Sequence, residues 1–88
     1  MERRHENSLT DLLEKVAFEG YGATPKWQLA RWFGQTNFSV NIRRDLRERW
    51  KTLQQEELNA AKVPILKIAE LKGDIVLMSE ANFFPDKE

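Results

Sequence analysis

"PILKIAELKGDIVLMS", residues 64–79, is the stretch on which the fold of this chain turns. Lys72-Gly73-Asp74 is a turn signal between two apolar, partly β-branched runs, so the segment reads as a β-hairpin with strands near 65–70 and 75–79. The rival is a short helix over 65–72, started by Pro64 and ended by Gly73, because Leu, Lys, Ala and Glu all favour helix. The hairpin is preferred because Ile75-Val76-Leu77-Met78 needs a strand partner close by. A hairpin makes the chain α+β, mainly helical with one small β element.

Upstream of Pro64 the pattern is helical. Pro64 bars the preceding helix from running through it. That helix covers about residues 39–56, with Lys62 as its furthest limit. Ile42, Leu46, Trp50 and Leu53, spaced four, four and three, form its core side. Ser39 or Asn37 caps it after the polar turn "QTNF", residues 35–38. A second helix occupies "KWQLARWFG", residues 26–34, with Thr24 as N-cap, Pro25 at its first position and Gly34 closing it. Leu29, Ala30 and Phe33 share a face there, while Trp27 and Trp32 flank it and roof the core.

The first helix opens at Ser8, with Asp11 three residues on as a short version of a capping-box acid. Leu9, Leu12, Leu13, Val16 and Ala17 make its apolar stripe. Gly20 and Gly22 end it, and Tyr21 between them belongs to a turn or a very short strand. Residues 1–7 are expected to be a flexible arm carrying Arg3 and Arg4, 8–80 the folded domain, and 81–88 a tail. Phe83 and Phe84 in that tail are expected to close one end of the core.

Eighty-eight residues, 41% apolar and 32% charged, make one ordinary globular domain. A chain this short buries only about 60–65% of the surface its unfolded form exposes, which keeps the core economical. Cysteine is absent, so neither a disulfide framework nor a thiolate metal site exists. No apolar run has the length of a membrane span, and "MERRHENS" is too polar for a signal peptide, so a cytoplasmic protein is expected. His5 is the single histidine, no Gly-rich phosphate loop is present, and no carboxylate sits in an apolar run. Catalytic, metal and cofactor sites are therefore not expected, and the chain is read as a binding protein rather than an enzyme.

Zero net charge hides an asymmetry. Residues 1–55 carry ten Lys/Arg against seven Asp/Glu, and residues 56–88 carry four against seven. The excess gathers at 39–53, "SVNIRRDLRERWKTL", where four arginines and a lysine accompany two acids. At about 100° per residue, Arg43, Arg47 and Lys51 fall beside the core arc, with Arg44 just beyond. Asp45 can pair with Arg49 and Glu48 with Arg44, but the row 43/47/51 has no acid four residues away to neutralise it. Like charges at this spacing repel by about 0.2–0.5 kcal/mol per pair, which a polyanion would offset. The bland alternative is that acids of the last third, Glu56, Glu57, Glu70 or Asp74, meet the ridge inside the folded chain.

Residues 26–53 resemble a helix-turn-helix unit. Ala30 and Gly34 match the family's small residue and the glycine that lets the second helix cross close, Leu29 and Phe33 are the adjoining core positions, and Val40 is the early apolar position. The pattern departs at Arg43, where an apolar residue is expected. That shifts the resemblance to winged-helix domains, in which the turn varies and three helices precede a β-hairpin wing. Over residues 8–80 the resemblance implies a three-helix winged helix-turn-helix. The third helix would then be the recognition helix on duplex DNA, in a transcriptional regulator or accessory factor. Arg43, Arg44 and Arg47 would reach base edges or phosphates, Lys51, Ser39 and Asn41 phosphates, and Lys67 and Lys72 would be wing contacts. Neutral net charge favours a different partner, an acidic protein surface or a second copy of the chain, through which the protein would modulate a larger machine. RNA is a third possibility, requiring exposed aromatic side chains on which bases stack.

Overall fold

A computed structural model of the chain describes residues 2–82. Helix α1 spans Arg3–Glu19, strand β1 Tyr21–Pro25, helix α2 Lys26–Trp32 and helix α3 Val40–Thr52. Strands β2, Leu66–Glu70, and β3, Asp74–Ser79, follow as the expected hairpin. The rival helix over 65–72 does not form. Hairpin and β1 join into one antiparallel sheet in the order β1-β3-β2, so β3 is central. The fold is α+β, with three helices against a three-stranded sheet.

Tyr21 belongs to a real strand because β3 has a free edge to offer. Tyr21 stands opposite Met78 and Pro25 opposite Asp74. The turn into β1 is made by Gly20, whose φ of 96° suits only glycine well and whose N–H donates to the Val16 carbonyl at 2.9 Å. Gly22 serves a different need. A Cβ there would lie 2.9 Å from Leu12 Cδ1 and 3.1 Å from Val16 Cγ2, so its bare backbone lets β1 cross α1 closely.

Several boundaries differ from the sequence reading. Helix α1 begins at Arg3 rather than Ser8, so most of the expected arm over 1–7 is helical. Glu6 and Arg49 lie 3.7 Å apart, a tertiary contact invisible to local pattern. Thr24 is a buried strand residue and Pro25 holds the N-cap position of α2. Gly34 does not admit a crossing helix, since nothing lies within 4 Å of a Cβ built on it. It is glycine because its φ is +69°. Val40 is 70% exposed instead of taking the apolar helix-turn-helix position, and Trp27 is 62% exposed instead of roofing the core. Phe83 and Phe84 lie outside the described residues.

The core forms where the three helices meet the inner face of the sheet. Leu9, Leu13 and Val16 enter from α1, Leu29, Ala30 and Trp32 from α2, and Ile42, Leu46 and Trp50 from α3; Leu66, Ile75 and Leu77 enter from the sheet. Each fully buried Leu, Ile or Val among them contributes about 1.5–3 kcal/mol relative to exposure. Ser39 caps α3 as expected, its Oγ accepting from the Ile42 N–H at 3.4 Å. Beyond Thr52 the helix widens into a π-type turn, Leu53–Glu57, in which the Leu58 N–H reaches back five residues to the Leu53 carbonyl at 3.1 Å. Asn59, at φ 51°, turns the chain away from the helix. No helix among the described residues is long and apolar enough to cross a membrane.

One polar bond ties helix to sheet inside this core. The Trp50 indole N–H donates to the Pro64 carbonyl at 2.8 Å while its ring is 2% exposed. Trp50→Phe removes the donor and leaves part of the ring's volume unfilled. Chemical denaturation is expected to show a loss of about 1–3 kcal/mol. An unchanged unfolding midpoint would contradict this role for the bond.

Candidate functional site

The third helix exposes Val40, Asn41, Arg44, Arg47, Glu48, Lys51 and Thr52 to solvent. Its cationic row is therefore Arg44–Arg47–Lys51, spanning about 10 Å at 1.5 Å per residue. Arg43 is not part of that outward row. It lies half-buried on the flank next to the sheet, closest in angle to the core side chain Trp50. Among the described residues no carboxylate stands within 4 Å of Arg44, Arg47 or Lys51 in an ion pair. The expected Glu48–Arg44 pair is not made. Asp45 and Arg49 do pair, Oδ1 to Nε at 3.1 Å, and the Arg49 guanidinium lies 5.8 Å from the centre of the Phe33 ring.

Arg43 is met from within the chain. Its guanidinium contacts Glu70 Oε2 at 3.1 Å, and Lys26 Nζ lies 3.2 Å from Glu70 Oε1. A single carboxylate at the end of β2 thus spans the first residue of α2 and the first turns of α3. Phe38 lies under the Arg43 guanidinium at 4.9 Å from ring centre to Cζ, an orienting contact of cation–π type. The hydrogen bond and charge of Lys26 hold the Glu70 carboxyl below the usual glutamate range, and Arg43 adds to this. Among the described residues, Glu70 is the acid of the last third that meets the ridge, and it pairs with Arg43 alone of the four ridge cations.

The remaining expected contact residues separate. Ser39 is occupied by capping and by donating its hydroxyl hydrogen to Gln35 Oε1 at 2.9 Å. Asn41 is exposed in the first turn of α3. Lys72 sits exposed in the hairpin turn, beside Gly73, whose carbonyl accepts from the Lys26 N–H at 3.0 Å. Lys67 alternates with buried Leu66 and so belongs to the sheet face turned away from the helices; it does not join the α3 row. Lys26 was not among the expected contacts. Its place at the start of α2 hid its meeting with Arg43, because only the hairpin brings the two together.

Beside the cationic row runs an open groove of about 390 Å³. Arg47, Lys51 and Trp50 line one side, Val63, Pro64 and Ile65 the other, with Ile65 61% exposed. Comparison with known proteins found no matching family model, curated sequence or solved structure, so the site is read from its own geometry.

The Lys26–Glu70–Arg43 cluster has a measurable signature. A side-chain carboxyl NMR titration is expected to find Glu70 below the ordinary glutamate value and to see it rise in Lys26→Met. Because the folded value is depressed, the contribution to stability is complete above the unfolded pKa and is lost as pH falls through the folded one. Acid destabilisation should therefore be shallower in Lys26→Met. A Glu70 that titrates normally in the unaltered protein would mean that the cluster does not persist in solution.

Proposed function

We propose that this chain is a small DNA-binding protein of winged-helix type that lays α3 on duplex DNA. The observation carrying this reading is the row Arg44, Arg47 and Lys51, exposed on one helix face with no carboxylate paired to it among the described residues. The three helices, with β1 between the first two, precede a two-stranded hairpin as the helices of winged-helix domains precede the wing, which supports the fold half of the reading. An α-helix fits the B-DNA major groove, and arginine pairs in bidentate fashion with guanine O6 and N7. Arg44 and Arg47 are the proposed base-edge or phosphate readers, Lys51 and Asn41 phosphate contacts, and Lys72 the wing contact. Glu48 on the same face would repel phosphate but can accept from a cytosine amino group.

A second reading is favoured by the groove beside Arg47 and Lys51. Cations on one wall and exposed apolar Ile65 on the other suit an acidic protein segment with an apolar anchor.

Salt separates the two. Random duplex DNA is expected to bind at low salt, with log K falling linearly against log salt. Arg47→Ala and Lys51→Ala should each weaken binding across sequences and reduce the salt slope by about 1, with the melting temperature unchanged. Absence of duplex binding at about 50 mM salt in the folded protein would overturn the DNA reading and leave the groove as the lead.

A further inference from the structure

We propose that Lys26 and Arg43 form a seat for a phosphate group, which the Glu70 carboxylate occupies while the protein is free. The geometry is that of a bridged anion. Glu70 gives one oxygen to each cation, Oε1 to Lys26 at 3.2 Å and Oε2 to Arg43 at 3.1 Å. A phosphodiester likewise presents two non-bridging oxygens that share one negative charge, so it can bridge the same pair. Two cations against one carboxylate leave the cluster with a surplus positive charge that no other acid among the described residues meets within 4 Å.

The order of exposure makes the exchange easy. The side chain of Glu70 is 43% exposed, whereas those of Arg43 and Lys26 are 29% and 31% exposed. The carboxylate is the outermost of the three and can swing into water by a change of rotamer. Behind it, contacts orient the Arg43 guanidinium and anchor the Lys26 backbone. Phe38 lies beneath the Arg43 guanidinium, and the Lys26 backbone N–H is bonded to the hairpin turn. Exposed ion pairs of this kind are weak enough to exchange for a phosphate.

The position also suits a backbone contact. The seat lies between the start of α3 and the turn end of the hairpin, where Glu70 is two residues before Lys72. A strand engaged by Arg44 and Arg47 would pass next to it. As to its ligand, this inference rests on the DNA reading; its geometry does not. Glu70 then acts as a brake. It lowers affinity for any polyanion until displaced, because each phosphate that enters must first expel a carboxylate.

Glu70→Gln tests this, with Glu70→Asp as a second variant whose shorter arm draws the charge back from both cations. Duplex DNA should bind Glu70→Gln several-fold more tightly than the unaltered protein, with a salt slope steeper by about 0.9. Adding Arg43→Gln to that variant should abolish the gain. If Glu70→Gln and the unaltered protein bind alike while Arg47→Ala weakens binding, the seat is refuted and the DNA reading stands. If no variant binds duplex, the DNA reading fails and inorganic phosphate decides the seat. A shift of the Arg43 Nε–H NMR signal at lower phosphate in Glu70→Gln than in the unaltered protein supports it, and no shift in either refutes it.

Discussion

Trp50 is the joint of this small molecule. Its ring fills the space where α3 meets the sheet, and its indole N–H, which burial would otherwise strand, donates to the Pro64 carbonyl at 2.8 Å. A buried donor without a partner costs about 1–3 kcal/mol, so the bond selects one approach of the chain after the helix. Pro64 lies two residues before the first residue of β2, the strand that pairs with β3. Together with the burial of Leu66, Ile75 and Leu77 in the shared core, that contact places the hairpin against α3 and brings Glu70 to Arg43.

That meeting divides the basic helix into two populations. Arg43 lies only about 20° beyond Trp50 on the helical wheel, so it points along the sheet and finds Glu70. Arg44, Arg47 and Lys51 lie further round and meet water. Asp45 and Glu6 likewise claim Arg49 on the opposite flank. What reads as a single run of arginines in sequence is a set of flank contacts framing a three-cation outward face. Neutral net charge is compatible with such a face, because Glu56 and Glu57 lie past the end of α3 and the described acids of the hairpin do not pair with it.

Much of the fold is legible from local pattern. The stripe Ile42, Leu46, Trp50 and Leu53 is buried as spaced, Ser39 caps, and Lys72-Gly73-Asp74 turns the hairpin. The misreadings share a cause. Thr24 looks like a helix cap until β3 supplies a strand for it to pair with, and Trp27 looks like a roof until α2 is seen to turn that side outward. Gly34 looks like a close-packing glycine, whereas its φ of +69° serves the turn.

Periodicity, caps and turn residues act over a few positions, so helices, hairpin and core stripe could be read without coordinates. Which cation keeps its charge for an outside partner could not. Electrostatic pairing depends on distance in space, and Arg43 and Glu70 are twenty-seven residues apart along the chain but 3.1 Å apart once folded. Lys26 joins them for the same reason. Only the packing of the hairpin against two helices sorts these charges into those already satisfied and those facing water.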